Sequence, residues 1–491
     1  MANRIAASDF SIDNDGFYGR EEIYTSEDFI TADNVLEIVN RALATHCVNL
    51  AQEERLFWYR RGIQPILVRR KRRNTYVNNK VVDNTAEYIC SFKKGYFLPK
   101  PPTYIARNDE SQDKVLKLNE YMYRGGKDEA DDACAEWFIT VGKGVVYVEA
   151  NADDDVPVKF YAIDPRKAFV VYSINPGNYP VMGVNAVTRG KQVFVDVYTR
   201  DTVFRLRGGV TMNVTSTYNY PTSMSVQDII GIESNPLGEI PIVEYRYNAQ
   251  CMSAFEPAMG LLNCKNLLLS NRIDGVEQFI QSLLVLYNAD LPEGEDATTL
   301  REKGILILKS IGDQKSDINI LSEQLNQTQT QTLVDNVDEE ILKVCSMPVT
   351  QFGQTSSSDN QGAVLTRNGW YQVEAANGNI IHQYKRSNEQ IDRIVVKILA
   401  AKGLLELKTT DFEIKFARNE QSNMVSKSQA LMNLLSAGLD PSLALSLSGV
   451  SNDPASDYKL SEKWILMKQG NPDGVTAPAP TEKVIENVTT V

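Results

Sequence analysis

The feature that most restricts how this chain can fold is a pair of long helical segments separated by a short broken stretch. From Phe255 to Asn288 there is no proline after Pro257, and glycine recurs only at Gly260 and Gly275. At 1.5 Å per residue such a helix spans on the order of 50 Å. Pro292 and Gly294 then break the pattern, a strand-like Gly304–Lys309 follows, and Leu325 to Cys345 reads as helix again until Met347–Pro348 stops it. Two long helices around a short insert form a hairpin that one subunit cannot bury alone.

Charge narrows the reading further. The 491 residues carry a net charge of −12. From Met252 to Ser346 there are seven Lys or Arg against fifteen Asp or Glu, a net of −8, so most of the negative excess lies in the hairpin region. A protein that grips nucleic acid by its phosphates usually has a basic balance or stripe. This one does not. The run Arg69-Arg70-Lys71-Arg72-Arg73 is the strongest local charge. It could bind phosphate, but a solvated turn or a partner for the acidic excess elsewhere is the commoner meaning.

The rest of the chain changes texture twice. Thr31 to Gln64 reads as one helix, with Asp33 placed to cap it and Val35, Ile38, Val39, Ala42, Leu43, Val48 and Leu50 as its apolar stripe. Asn84 to Lys94 reads as helix with a left-handed stop at Gly95, and Asp113–Tyr123 and Glu129–Thr140 are helical as well. From Gly144 to Tyr245, segments such as GVVYVEA, VKFYAI and VFVDVYT alternate with turn residues and predict an antiparallel sheet region.

Gly362 to Lys402 is the longest helical candidate, with apolar residues every three or four positions from Trp370 to Ile398 and Gly403 to end it. Thr410–Phe416 predicts a strand that rejoins the earlier sheet. Beyond Asn423, one helix ends at Gly438 and another starts from the cap signal Asp440-Pro441. A further helix is expected from Pro454 to Gln469, then a disordered tail. This is an α+β chain with several structural regions.

Enzymatic signatures are missing. Gly125-Gly126-Lys127 lacks the upstream glycine of a phosphate-binding loop, and no G-x-S-x-G or H-E-x-x-H occurs. With only His46 and His382, and six scattered cysteines, a zinc site of usual spacing cannot be assembled within the chain; isolated buried thiols are expected. Asp153-Asp154-Asp155 could hold a divalent ion but fits a solvated turn better. No catalytic residue, cofactor site or metal site is assigned. The amino terminus lacks a basic start followed by an apolar run, and no stretch approaches the ~18 apolar residues of a membrane span, so a soluble chain is expected.

The order of elements resembles the portal proteins of long-tailed bacteriophages. Local sequences carry the resemblance too: Asn79-Lys80-Val81-Val82-Asp83-Asn84 leading into CSFKKGYFLPKPPTYI, Asn235-Pro236-Leu237-Gly238-Glu239-Ile240-Pro241, LLLSNRIDGVEQFIQSLLVLYN, and Gly362-Ala363-Val364-Leu365 after a serine-rich loop. It extends over roughly residues 35–469.

The resemblance implies a portal fold: a β-rich wing (1–254 and 362–422), a helical stem (255–287 and 324–347), a clip (288–323), a tunnel loop (348–361) and a helical crown (423–470), before the tail at 471–491. It implies a twelve-fold ring at one capsid vertex, assembled in the host cytoplasm and carried in the virion. Double-stranded DNA would pass through it. Its partners would be the terminase large subunit, a head-tail adaptor, and the major capsid and scaffolding proteins, with no membrane. Docking is expected at Asp290, Glu293, Glu295, Asp296, Arg301, Lys303, Lys309, Asp313 and Lys315. The channel wall is expected at Thr350, Gln351, Gly353, Gln354, Thr355, Ser356, Ser357, Ser358, Asp359, Asn360 and Gln361. The competing readings are another phage ring or adaptor, and a metal-dependent nucleic-acid enzyme built on Asp153–Asp155.

Overall fold

The computed structural model describes residues 19–70, 77–212, 220–280, 283–287, 289–290, 309–310, 317–321, 327–349, 369–416, 424–451, 457–458 and 461. A short strand β1 (Ile23–Thr25) leads into α1 (Val35–Arg60), a 3-10 turn at Pro65–Val68, α2 (Thr85–Phe97), β2 (Thr103–Ala106), α3 (Gln112–Arg124) and α4 (Lys127–Val141). Strands follow: β3 (Lys143–Ala150), β4 (Val158–Ile163), β5 (Ala168–Ser173), β6 (Pro180–Arg189), β7 (Gln192–Tyr198), β8 (Thr202–Met212), β9 (Pro221–Ser234) and β10 (Ile242–Arg246). Next come α5 (Met259–Ile280), β11 (Leu283–Tyr287), β12 (Ala289–Asp290), β13 (Lys309–Ser310), β14 (Asp317–Leu321) and α6 (Gln327–Val344). The chain ends its described course with α7 (Trp370–Ala401), β15 (Phe412–Lys415), α8 (Met424–Ser436) and α9 (Pro441–Ser448).

The β-rich region forms two sheets. A six-stranded sheet has the order β1-β5-β6-β7-β8-β9, antiparallel except that β1 joins β5 in parallel, and a three-stranded sheet has the order β10-β3-β4. In β7, Val193, Val195 and Val197 are buried while the residues between them are less so, the alternation that a strand with one covered face requires. The amino-terminal half of α1 covers that face: Val35, Ile38, Val39, Ala42, Leu43 and Leu50 pack with Phe169, Val184, Val195 and Leu206.

The other end of α1 enters a second, larger core. Leu56 and Tyr59 join α2, α4, the three-stranded sheet, the start of α5, the end of α6 and α7. On α7, Val373, Ile380, Tyr384, Ile391, Ile394, Val395 and Ile398 are buried as the helical spacing predicts. Between them lies a satisfied polar group. Asn388 donates to Asp392 at 3.0 Å and to the Tyr104 hydroxyl at 2.9 Å, and accepts from Tyr245 at 3.1 Å. Gly403 ends the turn after α7 at φ 68°, with Leu404 N–H reaching Leu399 O at 3.0 Å.

Several expectations are corrected. Helix α1 starts at Val35 behind Asn34, not Asp33; the Asn34 carboxamide instead bridges Thr31 N–H and Phe29 O, and Val48 is exposed. Helix α2 runs through Gly95 to Phe97, because Phe97 is fully buried and holds the last turn in the core. β15 pairs with β2, not with the β-rich sheets. The long helix from Phe255 stops at Ile280. Leu283–Tyr287 forms a strand that pairs antiparallel with Asp317–Leu321. Five of the six cysteines are buried, but Cys264 is exposed. The helix expected at Pro454–Gln469 lies mostly outside the described residues.

Candidate functional site

The site is built on α5 and α6, which pack side by side. Lys265 on α5 bridges them, meeting Asp338 of α6 at 2.5 Å and Asp83 at 2.8 Å. Arg272 donates to Gln331 across the same seam. At their far end the chain narrows to two antiparallel pairings, β11 with β14 and β12 with β13. Asp290 and Lys309, two of the expected docking residues, face each other in the second pairing. The others, Glu293, Glu295, Asp296, Arg301, Lys303, Asp313 and Lys315, lie outside the described residues.

The near ends of the two helices are held in different ways. α6 ends in the large core, where Ile341, Cys345 and Met347 are buried. α5 begins apolar at Met259 and Leu262, but the same face turns polar one helical turn at a time, at Asn266, Ser270 and Asp274, all buried. Each of these side chains accepts a backbone N–H from the extended segment at residues 79–83: Asn266 from Asp83 at 2.8 Å, Ser270 from Val81 at 3.0 Å, and Asp274 from Asn79 at 2.7 Å. Two residues of extended chain advance roughly 6.6 Å and four of helix roughly 6 Å, so the registers match. Asp274 also accepts from the Asn79 carboxamide at 2.9 Å and meets Arg69 at 3.5 Å.

This ladder was missed in the sequence, although its signal is there: three small polar residues four apart on an otherwise apolar helix face. It also accounts for part of the basic run. Arg69 serves the acidic segment through Asp274 and Asn271, while residues 71–73 lie outside the described residues. Asp153–Asp155 forms a turn in which Asp153 accepts from Asp155 N–H at 2.9 Å, and Asp154 pairs with Lys402 at 3.0 Å. Among the described residues no group of three or more His, Cys, Asp or Glu is placed to hold a metal ion. Among them too, no helix is long and apolar enough to cross a membrane.

Outward, the hairpin leaves apolar side chains uncovered. Leu267, Ile273 and Val276 on α5 and Leu333 and Val344 on α6 are each more than two-fifths exposed, the largest value 47% at Leu333. The expected tunnel-loop residues, Thr350, Gln351, Gly353, Gln354, Thr355, Ser356, Ser357, Ser358, Asp359, Asn360 and Gln361, lie outside the described residues. What is described is where the chain leaves α6, at Ser346–Met347, and where it resumes, at Gly369–Trp370.

No curated protein matches the chain in a sequence comparison. A family model does, that of the phage portal proteins of the SPP1 Gp6-like type, and it spans residues 46–465. That span takes in the three-stranded sheet, all of the larger sheet but β1, the α5–α6 hairpin and α7, so the chain belongs to the SPP1 Gp6-like phage portal protein family, structural capsid proteins that form an oligomeric ring for DNA passage.

Proposed function

We propose that the chain is the portal subunit at one capsid vertex: a twelve-membered conduit for DNA packaging and ejection, and the platform that docks the terminase motor and later the head-tail adaptor. In this reading α5 and α6 are the stem, the sheets with α1–α4 and α7 the wing, residues 288–323 the clip, and the helices after residue 423 the crown. The observation that carries it is the hairpin. It is rooted in the core and by the side-chain ladder, yet it presents Leu267, Ile273, Val276 and Leu333 outward, where a neighbouring copy in a ring would cover them.

The charge supports the same reading. A wall that must let a duplex slide gains nothing from fixed cations, and the hairpin is acidic. Residues 350–361 are proposed as the loop at the narrowest part of the channel, because they join the end of α6 to the helix that returns to the wing, and Gln351, Gln354, Thr355 and Ser356–Ser358 offer hydrogen bonds without positive charge. The clip would contact the packaging motor through its mixed charges, including Asp290 and Lys309.

Substituting two or three of Gln354, Ser356 and Ser358 with lysine tests this. Rings should assemble normally while DNA passes more slowly, through added phosphate attraction. Packaging at the normal rate and to full genome length would refute the loop assignment.

A further inference from the structure

One turn of α2 holds both flanks of the segment that separates α6 from α7. At the first flank, α6 ends with Met347 N–H bonded to Leu342 O at 2.8 Å and Ser346 N–H to Lys343 O at 3.0 Å. Ser346 sits in the left-handed region at φ 49°, where glycine is the usual occupant. Its carbonyl oxygen accepts from the Lys93 ammonium on α2 at 2.8 Å.

Lys93 is an expensive way to satisfy one carbonyl. It is 4% exposed, and among the described residues the ionisable group that acts on it is the Cys345 thiol, not a carboxylate. Burial accordingly pushes its pKa down to about 8. Its neighbour Lys94 points elsewhere, to Asp132 at 2.9 Å and Glu136 at 3.0 Å on α4, and fastens α2 to the core. A methionine would fill the Lys93 site as well and without desolvating a charge, so the feature that lysine adds there is the donor aimed at Ser346.

The second flank is aromatic. Trp370, the first residue of α7, lies 6.2 Å from Phe92 and 6.1 Å from Tyr96, measured between ring centroids, and those two rings stack on each other at 5.9 Å. Phe92, Lys93 and Tyr96 therefore meet the chain where it leaves α6 and again where it enters α7.

We infer that Lys93 is a positioning residue: with Phe92 and Tyr96 it fixes the direction in which the chain leaves α6 and the place at which it returns to α7. The consequence for DNA rests on the reading of residues 350–361 as the tunnel loop.

Hydrogen exchange on the full-length protein tests the role, comparing Lys93→Met with Lys93→Arg, which keeps a donor. In Lys93→Met, the amides of Ser346 and Met347 should exchange about 10-fold faster, a loss within the range for a charge-assisted hydrogen bond, while those of Ile89 and Phe138 are unchanged. Lys93→Arg should keep the protection. Uniform acceleration across the core, no acceleration, or identical behaviour of the two variants would overturn the role. If Lys93→Met does not fold, Tyr96→Leu makes the same test at Val373 N–H, which bonds Gly369 O at 3.2 Å. There local release alone supports the clamp, and uniform release or none overturns it. DNA packaging by Lys93→Met rings then addresses the reading beneath. Local release with slowed packaging supports both, whereas local release with normal packaging overturns the tunnel-loop assignment and leaves the clamp standing.

Discussion

Truncating Asn266, Ser270 and Asp274 one at a time should release three different backbone amides. Each side chain accepts one N–H from the extended segment: Asn266→Ala frees Asp83, Ser270→Ala frees Val81, and Asp274→Ala frees Asn79. Removing the acceptor leaves a partly buried donor without its partner. A buried group left in that state costs about 1–3 kcal/mol, which corresponds to roughly 5- to 150-fold in an opening equilibrium. The segment is only partly buried, so Ser270→Ala, the smallest change, belongs at the low end. Asp274→Ala belongs at the high end, since it also removes one of the two acceptors of the Asn79 carboxamide and the charge beside Arg69. Residue-resolved hydrogen exchange measures all three. The reasoning fails if Ser270→Ala accelerates all three amides equally, because the segment would then be held as one block and not rung by rung. It fails equally if no amide responds to any truncation.

Acid should weaken the fold through His46, which is buried, stacked on Phe169 at 4.4 Å, and 3.1 Å from Arg166 O. Burial pushes its pKa down to about 4, below the unfolded value, so its contribution is present above pH ~6.5 and lost as the pH falls toward 4. Between pH 7 and 5 the native chain should lose about 2 kcal/mol more than His46→Gln in urea unfolding, with the opposing rise of Glu53 and Asp392 common to both proteins. Equal losses would contradict the assignment. Gly142→Ala should be severe: φ is 89° there, and a Cβ would lie 1.9 Å from Cys251 O. A cost on the order of 3 kcal/mol or more is expected, against about 1 kcal/mol for Gly190→Ala, which has a positive φ but open space. Thermal unfolding of the two variants should separate them clearly, and comparable midpoints would refute the steric argument.

What could be read in advance follows a physical division. Helix α7 was legible because Val373, Ile380, Tyr384, Ile391 and Ile398 repeat a single period over many turns, and α9 because Asp440 accepts from Ser442 and Leu443 N–H just as a cap residue should. Both signals are local. β11 was not legible, since Leu283–Tyr287 continues a helix as readily as it forms a strand, and its partner Asp317–Leu321 lies far along the chain. The β15–β2 pairing failed for the same reason. Gly95 misled because a glycine near a helix end ordinarily stops it, whereas burial of Phe97 carries α2 onward. At the candidate site, composition and order gave the hairpin and the family, but the ladder depended on two segments meeting, and no single segment announces that.

Both roots of the hairpin reach the large core, and α5 adds a set of directional bonds to its apolar start. α6 is held by Ile341, Cys345 and Met347 in an apolar core, with Lys93 bonded to the Ser346 carbonyl just past its end. Farther along α5, Asn266, Ser270 and Asp274 accept hydrogen bonds from the backbone of residues 79–83, and the strength of such bonds falls steeply when distance or angle departs from the ideal. A slip of α5 by one residue would turn these three acceptors by about 100° away from the segment at residues 79–83, so its register is quantised. Lys265 ties both helices to Asp83 at one end of the ladder. The ladder thus sets the register of α5 against residues 79–83, while the apolar plug and the Lys93 bond to Ser346 hold the end of α6.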